Sequence, residues 1–177
     1  MSVDNYLGLK RNTVRLLPYH GSWKRKAEGC IAILHEVLGS VAEDIQHAGS
    51  TAVPGIHAKP VIDIIAGVRS VGDVLPFCPG LEQHGIFFRG EDVPGQLLFV
   101  MGDMENDTRT HHIHVVRWKG TAWNNYLYFR DTLLGSPEIA AEYDALKLDL
   151  AERFSNDRQA YTKAKESFIT GILNSRK

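Results

Sequence analysis

Two neighbouring stretches decide the fold of this 177-residue chain: His47-Ala48-Gly49-Ser50-Thr51-Ala52-Val53-Pro54-Gly55 and Pro60-Val61-Ile62-Asp63-Ile64-Ile65-Ala66-Gly67-Val68. The second stretch is a nearly continuous apolar run rich in Val and Ile, which predicts a central strand buried on both faces. The first continues a short strand, residues 43–48, into a tight turn containing two glycines, two hydroxyls and a proline. Such turns can present backbone N–H groups to an anion. The sequence therefore predicts an anion-binding turn beside a buried strand.

The rest of the chain predicts alternating helices and strands that give way to helices toward the C-terminus. A helix with apolar residues at three- and four-residue spacing runs from Trp23 to Leu38 and ends at Gly39. A capping serine followed by proline starts another helix at Ser136-Pro137-Glu138. The other expected elements are a helix over 71–84, strands over 85–89, 96–101 and 111–118, a turn over 92–95, helix from Trp123 onward, and a last helix from Asn156 or Asp157 toward Leu173. We predict one α+β domain over residues 1–177, a mixed sheet flanked by helices with a helical C-terminal part.

The composition is that of a soluble globular domain, with 44% hydrophobic and 23% charged residues. Twenty basic and 21 acidic residues give a formal charge of −1. This balance argues against nucleic acid as a partner, because nucleic-acid binders usually carry a net basic footprint. No stretch approaches the ~20 apolar residues that a bilayer requires, and we expect a cytoplasmic protein with no membrane partner. Cys30 and Cys78 lie in apolar stretches and are expected to be buried free thiols.

Asp63 is the sharpest chemical feature of the sequence. An ionised carboxylate inside an apolar strand loses its hydration and needs a cation, a set of donors or an open strand end. Two explanations stay open: Asp63 caps a neighbouring turn, or it is a metal ligand or general base. The Gly-Ser turn upstream favours the second, which makes Asp63 the candidate catalytic residue.

The turn and the strand acid together resemble the nucleotidyltransferase superfamily, in which a Gly-Ser pair follows one strand and acids lie on the next. The longer match is to the GrpB-like family, often found in bacteria as free-standing proteins or fused to dephospho-CoA kinase. Besides the turn and residues 58–64, the resemblance rests on Arg109-Thr110-His111-His112-Ile113-His114-Val115-Val116, Phe129-Arg130-Asp131, residues 142–147 and residues 161–169. It implies a nucleotidyltransferase-like sheet and a nucleotide ligand.

One position departs from the superfamily pattern. A working nucleotidyltransferase normally presents two acids in an Asp-x-Asp or Asp-x-Glu arrangement that holds magnesium ions. Here the second position is Ile65. A single strand carboxylate is a weak site for Mg²⁺, which takes oxygen ligands in strict octahedral geometry. The departure weighs against two-metal transfer in its usual form.

A histidine pair on a later strand offers replacement ligands. Strand alternation places His112 and His114 on one face, where the superfamily tends to carry a third acid. Two imidazoles and a carboxylate suit Zn²⁺, Mn²⁺ or Fe²⁺ better than Mg²⁺. We predict a metal site of Asp63, His112 and His114, with His47 or His111 nearby. The alternative is that the histidines hydrogen-bond to one another or to Asp63 without metal.

Basic residues supply a second set of candidate contacts. The predicted phosphate ligands, on the turn and on residues matching the family pattern, are Gly49, Ser50, Thr51, Lys59, Arg109, Arg130, Lys147 and Lys165. Arginine would bind phosphate with two parallel hydrogen bonds and lysine as a point charge. The alternative for each cation is a solvated face or an ordinary ion pair. Gln96 stands where the family often carries arginine.

These features predict a nucleotidyltransferase-like protein that binds a nucleotide or another phosphorylated small molecule together with a divalent metal, Mn²⁺, Zn²⁺ or Mg²⁺. Two alternatives stay open. One is a catalytically inactive nucleotide- or phosphate-binding module related to coenzyme A. The other is a metal-dependent phosphate-ester hydrolase that uses Asp63, His112 and His114. The sequence does not specify the acceptor or the oligomeric state.

Overall fold

The computed structural model describes residues 6–176. Its strands and α-helices are, in order, β1 (Leu9–Lys10), α1 (Ser22–Leu38), β2 (Ala42–Ala48), β3 (Ile62–Val68), α2 (Cys78–Gln83), β4 (Phe87–Val93), β5 (Gln96–Asp103), β6 (Thr108–Arg117), α3 (Thr121–Gly135), α4 (Pro137–Arg153) and α5 (Arg158–Asn174). Short 3₁₀ helices cover Gly39–Val41, Ser50–Ala52 and Val71–Phe77. Across this described part of the chain, no helix has the length and apolar character needed to cross a membrane.

The strands form one mixed sheet in the order β2-β3-β6-β5-β4, with β1 paired to the beginning of β6. Among the pairings of residues 6–176, β3 and β6 run parallel and the named neighbours otherwise run antiparallel. β3 lies between β2 and β6, and each of its residues except Asp63 is buried. The predicted α+β class, with a mixed sheet flanked by helices and a helical C-terminal part, is confirmed.

Different helices cover the two faces of the sheet. Leu34 of α1 and Ile64 of β3 belong to the core on one face. On the other face, Ile65 of β3 packs with Trp123 of α3. Gly67 makes room for this packing, because a Cβ there would lie 2.8 Å from the Trp123 ring. Successive residues of β3 thus face different cores, which explains why the strand reads as a continuous apolar run.

The predicted helix starts are confirmed by their capping contacts. The Ser136 hydroxyl accepts a hydrogen bond from the Ile139 N–H at 3.4 Å, and Pro137 is the first residue of α4. The Asp157 carboxylate accepts one from the Ala160 N–H at 2.9 Å and starts α5. Both contacts satisfy a backbone donor that a helix start leaves without a partner.

The structure corrects three local predictions. The expected helix over 71–84 is a 3₁₀ segment followed by the short α2, because Pro76 has no N–H to continue a helical ladder. The hairpin strands β4 and β5 run longer than predicted, since the turn shrinks to Pro94-Gly95, where the Gly95 N–H donates to Glu91 Oε1 at 2.5 Å. Both cysteines are free, and Cys30 is buried, but Cys78 is only half-buried at the start of α2.

Candidate metal and phosphate site

Asp63, His112 and His114 meet on one face of the sheet near the start of β3. The parallel register places Asp63 beside His112 and Ile65 beside His114, so these side chains share a face. Asp63 Oδ1 lies 3.7 Å from His112 Nδ1 and 3.6 Å from His114 Nε2. One ligand atom from each of the three residues lies within 4.8 Å of the others. The structure thus brings the predicted metal ligands together, and their binding of a metal stays a prediction.

The charge of Asp63 follows from these contacts. Burial favours the neutral acid, but the contacts with His112 and His114 outweigh it and hold the pKa of Asp63 well below its usual range. The side chain keeps 33% of its surface exposed, so a ligand can reach it. A turn-capping role would leave the two imidazoles that face its oxygen unexplained. The arrangement favours a cation-binding carboxylate.

Gly49 brings the turn directly over Asp63. Its φ of +68° and ψ of −174° lie in a region that residues other than glycine rarely occupy. A Cβ at this position would overlap Asp63 Oδ2 and lie 3.1 Å from Asp63 Cβ. Ser50 follows at once and is held by a hydrogen bond with the Tyr143 side chain. Glycine at position 49 is therefore required by the close approach of the turn to the acid.

His47 and His111 lie on the other face of the sheet. The register pairs His47 with Ile64 and His111 with Ile62, and burial lowers the pKa of both imidazoles to about 4. His47 Nε2 lies 2.9 Å from Thr51 Oγ1, a contact that fastens the turn to β2. Neither imidazole belongs to the group of potential ligand atoms around Asp63 found among residues 6–176.

Two lysines lie against the ring of Tyr161 on α5, and Arg158 acts electrostatically on both. The Lys59 and Lys165 ammonium groups lie 5.4 Å and 4.5 Å from its centre. Burial lowers the pKa of Lys59 to about 8 and that of Lys165 to about 7, and repulsion from Arg158 adds to both shifts. Asp63 acts in the opposite direction on both lysines. We call Lys59, Arg158 and Lys165 the cation cluster; mutual repulsion on this scale is relieved by an anion.

Lys147, a third predicted lysine, is buried and contacts groups of the protein itself. Its ammonium group donates to the His57 carbonyl and lies 3.6 Å from Asp144 Oδ1. Asp144 in turn accepts the His57 N–H at 2.6 Å and lies 2.9 Å from its Nδ1. This clamp fastens the segment between the Gly-Ser turn and β3 to α4. Sequence reasoning missed His57 and Asp144 as partners, because 87 residues separate them.

The two predicted arginines also have contacts within the protein. Arg130 Nη1 donates to the His47 carbonyl at 2.9 Å, and Arg130 Nη2 lies 2.7 Å from Asp131. Arg109 is buried on β6, with Nη2 3.0 Å from Asp107. Arg130 therefore supports the strand that leads into the turn. Phosphate binding by Lys147, Arg109 and Arg130 stays a prediction.

Comparison with known proteins identifies relatives along almost the entire chain. The family model described as "GrpB protein" matches residues 13–175. "Glutamate-rich protein GrpB" of Alkalihalophilus pseudofirmus is 39% identical over 171 residues, which cover 95% of this chain and 98% of that protein. A dephospho-CoA kinase of Mycolicibacterium paratuberculosis is 29% identical, over 91% of this chain and 45% of the kinase.

Solved structures show the same architecture. The conserved protein GrpB from Enterococcus faecalis has a TM-score of 0.82 and 29% identity, with 90% of this chain and 95% of that chain covered. Cid1 in complex with its short product ApU has a TM-score of 0.51 and 11% identity, with coverage of 77% and 43%. The second likeness shows the fold alone, which is nucleotidyltransferase-like.

Proposed function

The chain belongs to the GrpB family, and from that premise we propose that it binds a phosphate-containing ligand, first of all a nucleoside triphosphate, together with one divalent transition metal. The observation that carries the proposal is the convergence of Asp63, His112 and His114 beneath the Gly49-Ser50 turn, with ligand atoms within 4.8 Å of one another. The fold supports it, since its likeness to Cid1 is that of a nucleotidyltransferase-like domain. Nucleotidyl transfer to an unidentified acceptor is the activity proposed for this site.

The donor set decides which metal fits. A pair of magnesium ions held by two strand acids does not fit, because the second position is Ile65, which is fully buried against Trp123. One carboxylate and two imidazoles fit Mn²⁺, Zn²⁺ or Fe²⁺. Such an ion, when bound by Asp63, His112 and His114, would neutralise charge on a phosphate oxygen.

The cation cluster supports the ligand's phosphates. The negative charge of Asp63 raises the pKa of both Lys59 and Lys165, whereas Arg158 lowers both and Lys59 also lowers that of Lys165. An anion bound between the two lysines would raise their pKa values and favour their protonated forms. Ser50 adds a hydroxyl on the turn that overlies Asp63. These residues would bind and orient the phosphates, which is most of what phosphoryl-type transfer asks of a protein.

Calorimetric titration with the β,γ-imido analogue of ATP tests this proposal, with Mn²⁺, with Mg²⁺ and with neither. We expect binding that Mn²⁺ supports better than Mg²⁺, and a loss of about tenfold or more in D63N and in K165M, because each removes a charged contact. K163M is the matched control, since Lys163 is an exposed lysine on the same helix. Binding that is equally weakened in K163M and K165M, or unaffected by D63N, would contradict the proposal.

One observation favours a second candidate, a binding module that does not catalyse transfer. Ile65 is part of the hydrophobic core, so Asp63 is the one acid that β3 carries. The dephospho-CoA kinase relative, of which this chain spans 45%, makes coenzyme A precursors the ligands to try. Metal-independent binding without turnover would favour this candidate, and release of phosphate from an ester would instead favour a hydrolase. A cytoplasmic location and the absence of nucleic-acid partners stay predictions.

A further inference from the structure

Two arginine side chains converge on the thioether of Met104, in the turn between β5 and β6. Arg89 Nη2, from β4, lies 2.9 Å from Met104 Sδ, and Arg109 Nη1, from β6, lies 3.4 Å from the same atom. A thioether sulfur is a weak and neutral hydrogen-bond acceptor. Two guanidinium groups of like charge therefore share one acceptor that neutralises neither of them.

Arg109 is the fixed half of this pair. The residue is 8% exposed, and its Nη2 lies 3.0 Å from Asp107 Oδ1. The register of β5 and β6 shifts at Gly102, which pairs with Arg109 and has a φ of +144°. A Cβ on Gly102 would overlap the backbone of Thr108, so glycine is required where the strands shift. The local backbone thus determines where the Arg109 side chain begins.

Positive charge outweighs negative charge around the Arg109 guanidinium. Burial lowers the pKa of Arg109, and Asp107 raises it. Repulsion from Arg89, Arg11 and Arg158 lowers it further. Asp107 is also shared, because its Oδ2 lies 2.9 Å from Arg11 Nε. One carboxylate thus stands against several guanidinium groups, an arrangement that an added anion would stabilise.

Asp103, another acid of this hairpin, directs both carboxylate oxygens into its own turn. Oδ1 accepts from the Glu105 and Asn106 N–H groups, each at 3.0 Å, and Oδ2 accepts from Asn106 Nδ2 at 2.6 Å. Glu105 itself is exposed to solvent. The place between the two guanidinium groups is held by the sulfur and not by these carboxylates.

We propose that Arg89 and Arg109 form a second anion site, which binds a terminal phosphate group, and that the Met104 thioether occupies this site in the unliganded protein. Hydrogen bonds from guanidinium groups to phosphate are charge-assisted and about twice as strong as neutral ones. A terminal phosphate carries about two negative charges near neutral pH and three acceptor oxygens, enough for both arginines. The unbranched Met104 side chain is flexible and can move aside.

The second anion site differs from the site of the proposed function. Neither Arg89 nor Arg109 is a proposed metal ligand or a member of the cation cluster, so phosphate binding here does not depend on the proposed function. Arg109 is one of the phosphate ligands that the sequence predicts. Arg89 is a partner that the sequence does not indicate, because β5 lies between their strands in the chain.

The methyl group of Met104 reports on this site directly. The chain has three methionines, and M104L identifies the Met104 signal in ¹H–¹³C spectra of methyl-labelled protein. We expect inorganic phosphate, added at constant pH and ionic strength, to shift this signal saturably, and dimethyl phosphate, a diester with one charge, to shift it much less. A Met104 signal that phosphate leaves unchanged would overturn the inference. An equal response to dimethyl phosphate would overturn the assignment to a terminal phosphate and favour a nucleic-acid backbone.

Two variants distinguish a formed site from a general positive surface. R89Q should weaken phosphate binding about tenfold, because it removes one of two charged donors. R117Q is the matched control, since Arg117 is an exposed arginine at the other end of β6, and it should leave binding unchanged. Equal losses in R89Q and R117Q would overturn the inference.

The role of Met104 has its own test. M104L removes the competing acceptor and keeps an apolar side chain of similar size, so phosphate should bind several-fold more tightly. Binding is followed in M104L through the Arg89 Nε–H signal in ¹H–¹⁵N spectra, which R89Q identifies. Unchanged or weaker binding in M104L would overturn the claim that the thioether occupies the site. Because each signal belongs to one residue, phosphate bound at the cation cluster does not affect the result.

Discussion

Replacing Gly49 with alanine tests the close approach of the turn to Asp63. The backbone at Gly49, with φ +68° and ψ −174°, costs alanine about 2 kcal/mol. The added Cβ also overlaps Asp63 Oδ2, so the carboxylate must swing away from the two imidazoles, which we put at about 1–2 kcal/mol more. G49A should therefore lower the free energy of unfolding by about 3–4 kcal/mol. For a domain of this size, that corresponds to a fall in melting temperature of about 10 °C.

Gly55 provides the matched control for the backbone cost. It also has a positive φ, +88°, but a Cβ there would meet nothing within 4 Å. G55A should lower the free energy of unfolding by about 2 kcal/mol. The additional loss in G49A then measures the cost of the contact with Asp63. In a D63A background, the cost of G49A should fall to near that of G55A, a coupling of about 1–2 kcal/mol. Equal costs for G49A and G55A, or a G49A cost that D63A leaves unchanged, would refute the reasoning.

Three further variants test the helical side of the site by chemical denaturation. Burial lowers the pKa of Lys165 to about 7, so the cost of burying its charge is fully present below pH 7 and shrinks as the pH rises toward 10. K165M should therefore raise the free energy of unfolding by about 2 kcal/mol at pH 6 and by less at pH 9. An effect that does not change with pH would contradict this. K147M should lower the free energy of unfolding by about 3 kcal/mol, because it leaves Asp144 without its lysine in a buried contact. R153M is the control: it removes the exposed ion pair of Arg153 with Asp149 and should cost under ~1 kcal/mol. Y161F should be neutral or stabilising, since the buried Tyr161 hydroxyl has no hydrogen-bond partner among residues 6–176. A loss of more than about 1 kcal/mol in the free energy of unfolding would show that it has one.

Much of the fold could be predicted because local patterns and packing agree. The apolar run of β3 is buried on both faces, and the Ser136 and Asp157 caps start helices where the sequence indicates. The segment over 71–84 was harder, because its helical spacing competes with a proline whose missing N–H breaks the ladder. Helical periodicity alone does not separate 3₁₀ from α geometry.

The site was only partly predictable, for a reason that lies in the chain's topology. Alternation on β6 was enough to place His112 and His114 on one face, and the parallel register with β3 then brought them to Asp63. Lys147 lies 3.6 Å from Asp144, three residues earlier on α4, but its hydrogen-bond acceptor, the His57 carbonyl, comes from a segment far away in sequence. Local spacing could therefore reveal only one of its two partners. The sequence places Gln96 where the family often carries arginine, and only the structure shows its side chain against His114.

The most direct test of the central claim is a Mn²⁺ titration by electron paramagnetic resonance in millimolar Mg²⁺. The donor set of Asp63, His112 and His114 predicts one bound Mn²⁺ per chain that excess Mg²⁺ does not displace. It also predicts that an H112Q/H114Q double variant, folded by circular dichroism, loses this ion. No bound Mn²⁺ in the wild type, or binding that survives in the double variant, would contradict the account.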